Sequence, residues 1–194
     1  LHERLFSMLE KSWRRFFHNP ELPFYFVQLS SLNRPSWPRF RDSQRRMALT
    51  LRNTWMAVTT DVGDSLDVHY TNKKPVGERL GLQALHHSYD YMIESEGPVC
   101  HSVLIKDNAL ELQFTHAQSL SAKGNHLVGF EVAGADGIYY PAEAQITSPN
   151  TILVRSSSVH RPRAVRYGWQ PFTRANLVNE VGLPCSTFQW QVKK

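Results

Sequence analysis

The apolar positions of the first part of the chain follow a helical period and then a strand-like run. Between positions 3 and 17, apolar side chains recur every three or four residues among charged ones, which predicts an amphipathic helix with its apolar stripe on a core. Asn19 and Pro20 end this helix, because proline cannot continue it. The stripe consists of Leu5, Phe6, Leu9, Trp13, Phe16 and Phe17.

Two short apolar segments predict β-strands that alternate with helices. Segment 24–29 is aromatic and nearly all apolar, which is typical of a parallel strand buried on both faces. A second strand is predicted over 55–59, between helices over about 39–52 and 75–92. The third helix has packing positions at Val76, Leu80, Leu82 and Leu85. This order predicts an α/β unit with right-handed crossovers and a parallel sheet.

After the sequence Glu96-Gly97-Pro98 the apolar pattern changes to a period of two. Six short segments alternate or cluster in this way, and turn-forming sequences separate them. The segments are 103–105, 110–114, 127–132, 138–140, 151–154 and 164–167. We therefore predict an α/β domain over 1–94 and a small antiparallel β-sandwich-like domain over 95–194.

The predicted parallel sheet is incomplete. Two parallel strands leave a sheet edge and helix faces uncovered, and such a pair is not stable alone. We expect further strands from sequence outside this chain, so that it associates with an amino-terminal half of the same precursor. The sequence begins Leu1-His2-Glu3-Arg4, without an initiator Met or a signal peptide, which we interpret as the inside of a longer protein.

Composition narrows the classes of partner. The chain is 41% hydrophobic, 11% aromatic and 20% charged, as in globular proteins, and its formal charge of +5 is scattered. We therefore expect no nucleic acid and no membrane among its partners, and no apolar stretch approaches the ~20 residues of a membrane span. Cys100 and Cys185 permit either one disulfide or two free buried thiols.

Segment 59–74, a polar and acid-rich loop, follows the second predicted strand. Ligands of α/β proteins bind at the carboxyl ends of the strands, so this loop is the first candidate site. In extended geometry Asp67 and His69 project to one side while Val68 points into the core. A histidine can take a nucleophile's proton, and a carboxylate can hold its tautomer. Asp64 is an alternative orienting group, and a surface histidine without a catalytic role remains an alternative.

Other chemical interpretations of the sequence are weaker. Asp61 and Asp64 could join the candidate pair around a divalent cation, but no further ligand pair has suitable spacing, and we expect neither a metal nor a cofactor. Two histidines, His86 and His87, lie late in the third helix, where they complement its dipole. Four aromatic residues are expected to cover the junction between the domains: Trp169, Phe172, Phe188 and Trp190.

Segment 63–66 spells the nucleophile signature of the GDSL esterases. In that family the signature follows the first strand and the histidine comes near the end of the domain. Here His69 follows Ser65 by only four residues, and two side chains so close on one loop cannot easily point at each other. We interpret the match as chance.

Much of the chain resembles the carboxyl-terminal part of the sialate O-acetylesterase family, which are serine esterases of the SGNH hydrolase type. The most specific block runs from Asp67-Val68-His69 to Leu80, and the similarity extends to about residue 184. It also includes the segments 24–29, 41–44, 60–64, 123–124, 129–134, 164–169 and 176–177.

The resemblance implies the carboxyl-terminal part of an SGNH-hydrolase-like three-layer parallel-sheet domain, followed by the β-sandwich-like domain. It implies a secreted, periplasmic or lysosomal enzyme that removes acetyl groups from O-acetylated sialic acid or polysaccharide. His69 and Asp67 match the catalytic histidine and its acid, whereas the nucleophilic serine lies upstream of Leu1. Tyr70 departs from the family's usual proline, and the wider SGNH group has its acid at the position of Leu66. The alternative is a non-catalytic carbohydrate-binding or structural module.

Overall fold

The structure is a computed structural model, and it describes residues 1–192, with three helices and twelve strands in that range. The helices are α1 (His2–Phe16), α2 (Trp37–Thr50) and α3 (Lys74–Tyr89). The first six strands are β1 (Phe24–Val27), β2 (Thr54–Ala57), β3 (Val99–Lys106), β4 (Ala109–Thr115), β5 (Ser121–Ala122) and β6 (Phe130–Ala133). The others are β7 (Tyr139–Pro141), β8 (Glu143–Ser148), β9 (Thr151–Arg155), β10 (Ala164–Tyr167), β11 (Leu177–Val178) and β12 (Phe188–Gln191).

The first part of the chain contains the predicted parallel pair. β1 and β2 pair in parallel, with Phe24 opposite Thr54 and Val27 opposite Ala57. Helix α2 lies between them in sequence, and both α2 and α3 pack against β2. The order of helices and strands agrees with the prediction, whereas the larger three-layer SGNH sheet stays a prediction.

The apolar stripe of α1 is only partly covered. The rings of Phe6 and Trp13 contact aromatic rings of β1, but most of the stripe is exposed, so the prediction that it lies on a core holds only in part. Phe16 is 76% exposed, and Leu5, Leu9 and Trp13 are each about half exposed. Strands lie only about 4.8 Å apart, so a two-stranded sheet is too narrow to cover a whole helix face. For the same reason β1 is half-buried throughout instead of buried on both faces.

The antiparallel part of the chain has two four-stranded sheets. Their strand orders are β12-β10-β6-β7 and β3-β4-β9-β8. Alternate side chains of both sheets point into one shared apolar core, as the period of two predicted. Fully buried members of this core are Leu110, Leu112, Phe114, Phe130, Val132, Ile152, Val154, Val165, Tyr167, Leu177 and Phe188. The boundary predicted near residue 95 stays a prediction, and the last two positions of the predicted second domain lie outside the described residues.

A buried arginine joins the two parts of the chain. The Arg41 side chain, on α2, is 0% exposed. Its guanidinium donates to the carbonyls of Gly168 and Pro171 at 2.9 Å and to Thr187 Oγ1 at 3.0 Å, and it also donates to the Gln170 carbonyl. Burial lowers the pKa of Arg41 to about 10. The segment from Gly168 to Thr187 is therefore held against α2 by hydrogen bonds.

The aromatic residues expected at the junction have different surroundings. Phe188 belongs to the sandwich core and Trp190 packs against that core, because both lie on β12. Trp169 lies near the Arg166 guanidinium, which is 5.9 Å from its ring centroid. Of the two alternatives for the cysteines, the structure has the free thiols: Cys100 and Cys185 are both buried and unbridged.

Candidate functional site

The loops that follow β1 and β2 lie side by side at the carboxyl ends of the two strands. The Ser31 amide donates to the Val62 carbonyl at 3.1 Å, and the Ser31 hydroxyl donates to the Thr60 carbonyl at 2.7 Å. Two residues further along, the Asn33 amide donates to the Ser65 carbonyl at 3.1 Å. The loop after β1 therefore holds the first half of the acid-rich loop in place by hydrogen bonds. Both loops lie at the edge of the sheet where α/β proteins bind ligands.

Gly63 allows this close approach of the two loops. Its φ of +132° is a conformation that side-chain-bearing residues rarely adopt, and a Cβ atom at this position would lie 2.3 Å from the Ser31 carbonyl oxygen. The glycine of the GDSL-like sequence thus has a backbone role. Both Ser65 and His69 lie in the described part of the chain, and no hydrogen bond joins their side chains.

Two carboxylates fold the second half of the loop by accepting backbone hydrogen bonds. Asp64 Oδ1 accepts from the amides of Leu66 at 2.7 Å and Asp67 at 3.0 Å, and these bonds lower the pKa of Asp64. Asp67 Oδ1 in turn accepts from the His69 amide at 2.7 Å. Asp67 is therefore bonded to the backbone of His69, and the alternative orienting group Asp64 is engaged in shaping the loop.

The side chain of Val68 does not point into the core. It is 46% exposed, and residues 68 and 69 form a turn instead of the extended segment that was predicted. The physical reason is the pair of side-chain-to-backbone bonds from Asp64 and Asp67, which curl the loop. Asp67 and His69 are both exposed. Within residues 1–192 the His69 ring makes no hydrogen bond.

Asp67 borders two hollows on the surface of the loop. One, of about 260 Å³, is also lined by residues 32–34 after β1 and residues 65–68. The other, of about 320 Å³, is lined by residues 61–64 and 70–72. A ligand in either hollow would touch the candidate carboxylate, so the loop has room for a small molecule beside Asp67.

A largely buried ion pair anchors the loop to α3, and the sequence did not predict it. Asp61 accepts two hydrogen bonds from the Arg79 guanidinium, at 2.6 and 2.7 Å. Arg79 also donates to the Val58 carbonyl at 2.7 Å. No sequence signal identified this pair, because a buried arginine on a helix has the same pattern as an exposed one. Because Asp61 is paired in this way, it does not join the other carboxylates, and the described residues contain no group of three metal-ligating side chains.

The two histidines near the end of α3 differ in their surroundings. His87 stacks on Trp55, with ring centroids 4.1 Å apart. Burial, followed by repulsion from His86 and His116, lowers the pKa of His87 to about 4. His87 is therefore neutral at pH 7 and does not complement the helix dipole as predicted, whereas the His86 ring donates to the Tyr91 carbonyl at 2.9 Å.

Comparison by sequence finds no match: no family model and no curated protein matches the chain. None of the helices within residues 1–192 has both the length and the apolar character needed to cross a membrane.

Comparison by structure finds a solved protein with the same fold over almost the whole chain. This protein is described as a novel carbohydrate acetylesterase from Xanthomonas citri. It is 34% identical in sequence and superimposes with a TM-score of 0.93 over 98% of the present chain. The match spans 46% of the Xanthomonas protein, so the present chain corresponds to about half the length of that acetylesterase.

Proposed function

We propose that this chain forms part of a carbohydrate O-acetylesterase. The observation that carries the proposal is the structural likeness to the Xanthomonas carbohydrate acetylesterase, at 34% identity over 98% of the chain. The resemblance of the segment from Asp67 to Leu80 to sialate O-acetylesterases supports the same activity. Both similarities include the loop that follows β2.

The proposed mechanism is that of a serine esterase. His69 takes the proton from a serine hydroxyl as the serine attacks the acetyl carbon, and returns it to the departing sugar hydroxyl. A water molecule then releases acetate from the acyl-enzyme, again with His69 as the base. Asp67 Oδ1 already accepts the His69 amide, so Asp67 Oδ2 is the oxygen proposed to accept from the ring and fix its tautomer.

The serine and the rest of the parallel sheet are proposed to come from an amino-terminal half of the same precursor. The exposed apolar stripe of α1 supports this partner, and so does the edge of β1 that no strand within residues 1–192 pairs with, because another strand or helix would cover both surfaces. Sedimentation and calorimetry of the 194-residue chain alone test it. A cooperatively folded monomer with its apolar stripe in solvent would contradict the proposal.

The proposed substrates are O-acetylated sialic acid or O-acetylated polysaccharide. The proposed location is secreted or periplasmic, or lysosomal in an animal. Both statements follow from the family resemblance. Acetate release from each substrate class, measured with the whole protein, distinguishes the two classes of substrate.

The direct test of the mechanism is the substitution His69→Ala in the whole protein. We expect kcat for acetate release to fall by about 10³–10⁴-fold while the protein stays folded, as when a catalytic base is removed. Asp67→Asn should also lower kcat, because the ring would lose its orienting carboxylate. The matched control is His101→Ala, since His101 is an exposed histidine on β3.

Near-normal kcat in the His69→Ala variant would contradict the assignment. It would favour the second candidate, a non-catalytic carbohydrate-binding or structural module. The observation that favours this candidate is that Asp67 Oδ1 accepts a hydrogen bond from the His69 backbone amide and not from its ring. A Gly-Gln-Ser-Asn-like sequence upstream of Leu1 in the same protein would support the esterase, and its absence would support the module.

A further inference from the structure

A cavity lies at the junction of the two parts of the chain, away from the loop that carries Asp67 and His69. One wall is the edge of β2, from Thr54 to Val58, and the opposite walls are the segments 95–100 and 183–186. Arg79 and Gln83 of α3 close a further side. The cavity has a volume of about 60 Å³, counted as the space that the centre of a water molecule can occupy. One water molecule needs about 10–15 Å³ of such space, so the cavity has room for more than one.

Two buried polar atoms in the wall of this cavity lack a protein partner. Gln83 is 1% exposed and Ser95 is 3% exposed. The Gln83 amide nitrogen donates to the Ser95 carbonyl at 2.8 Å, which leaves Gln83 Oε1 as an acceptor without a donor. Ser95 Oγ has no partner among the described residues either. Buried polar atoms are almost always hydrogen-bonded in proteins, to protein groups or to ordered water.

The free edge of β2 adds backbone groups to the same wall. The Phe24 amide donates to the Asn53 carbonyl and the Gln28 amide donates to the Ala57 carbonyl. The N–H and C=O groups of one residue point to the same edge of a strand, and this direction alternates along the strand. Those of Met56 therefore point to the edge of β2 that faces away from β1. That edge lines the cavity, so its polar groups face the same space as Gln83 and Ser95.

We infer that this cavity is a binding site for ordered water molecules, which hydrogen-bond Gln83 Oε1 and Ser95 Oγ and join α3 to the entrance of the sandwich. A water site of this kind needs two to four polar partners, which the cavity supplies. The inference is independent of the esterase proposal.

The substitution Ser95→Ala tests the inference in the whole protein. If water bonds the hydroxyl, removing it breaks a hydrogen bond and lowers the midpoint temperature of unfolding by a few degrees. If the hydroxyl has no partner, removing it deletes a desolvated polar group, and the midpoint stays the same or rises. The matched control is Ser157→Ala, because Ser157 is exposed, and it should not shift the midpoint.

A crystal structure of the unsubstituted protein gives the second measurement. Ordered water peaks within hydrogen-bonding distance of Gln83 Oε1 and Ser95 Oγ are the expected result. A cavity without electron density, or one filled by an organic molecule, would overturn the inference, as would an unchanged or raised midpoint in the Ser95→Ala variant.

Discussion

The two parts of the molecule differ in the kind of side chain that dominates their buried positions. The sandwich has an apolar core in which Leu112 and Val132 are fully buried. In the first part of the chain many of the buried residues are polar or charged, and the large apolar residues of α1 are exposed. The buried polar and charged residues there are Glu10, Gln28, Ser31, Arg41, Asp42, Ser43, Gln44, Thr54, Thr59, Thr60, Arg79 and Gln83.

This difference indicates that different interactions stabilise the two parts. Apolar burial supplies much of the stability of the sandwich, since each fully buried Leu or Val contributes about 1.5–3 kcal/mol. The first part depends on hydrogen bonds to the second, above all those of Arg41 and of Gln28 with Ser186. Its large apolar residues on α1 are exposed in this structure, and the proposed amino-terminal half would cover them.

The largest effect expected from breaking this arrangement is that of Arg41→Met. Methionine fills much of the volume but donates no hydrogen bond, so the carbonyls of Gly168, Gln170 and Pro171 lose their donor in a buried setting. We expect the free energy of unfolding to fall by about 3–5 kcal/mol. Chemical denaturation of the whole protein measures it.

The control for this prediction is Arg155→Met. Arg155 lies on β9 with a side chain 67% exposed, and its partner Glu143 is 3.7 Å away. Removing it should change the free energy of unfolding by no more than about 0.5 kcal/mol. Equal small losses in both variants would mean that the hydrogen bonds of Arg41 do not hold the two parts together.

The period of the apolar residues predicted the secondary structure of the first part better than that of the second. It placed all three helices and both parallel strands to within three residues, because packing on a sheet or a core imposes the period. It missed β5, β8, β11 and β12. Strand β8 pairs only with β9 at the edge of its sheet. Its alternation consists of only two apolar residues, Ala144 and Ile146, which is too short a pattern to identify a strand.

The candidate site was only partly predictable. The position of the loop after β2 followed from the strand order, whereas its shape depends on side-chain-to-backbone bonds such as that of Asp67. The ion pair between Asp61 and Arg79 and the hydrogen bonds of Arg41 join residues far apart in sequence. An arginine that is buried by tertiary contacts has the same sequence signal as an exposed one, so neither role could be read from the sequence alone.

The next largest effect concerns the exposed stripe of α1. If an amino-terminal half covers this helix, Phe16→Gln in the whole protein should lower the free energy of unfolding by about 2–3 kcal/mol, because it buries a polar amide in place of an aromatic ring. Leu104→Gln is the matched control, since Leu104 on β3 is 51% exposed, and it should cost under about 0.5 kcal/mol. A Phe16 effect as small as that of the control would show that the stripe remains in solvent and would remove its support for the partner.

The smallest effect is a pH dependence of the free energy of unfolding, which arises at the junction between the two parts. There His87 Nε2 lies 3.5 Å from Glu96 Oε1 without a hydrogen bond. The surrounding titratable groups are His86, His116 and Glu94. Burial lowers the pKa of His87 from 6.5 to about 4, so the folded state binds the proton less well than the unfolded state. The stabilising contribution is fully present above pH 6.5 and is lost as the pH falls from 6.5 to about 4.

The substitution His87→Phe isolates this contribution, because phenylalanine keeps a ring on Trp55 and does not titrate. The decrease in the free energy of unfolding between pH 7 and pH 4 should be smaller in the variant by about 1–2 kcal/mol. This value is less than the full pKa shift would give, because the His87 side chain is 17% exposed and solvent screens its charge. Glu96 is present in both proteins, so its titration is common to both measurements. If the free energy of unfolding has the same pH dependence in both proteins, His87 is as well solvated in the folded state as in the unfolded state. The junction would then be open to water at Trp55.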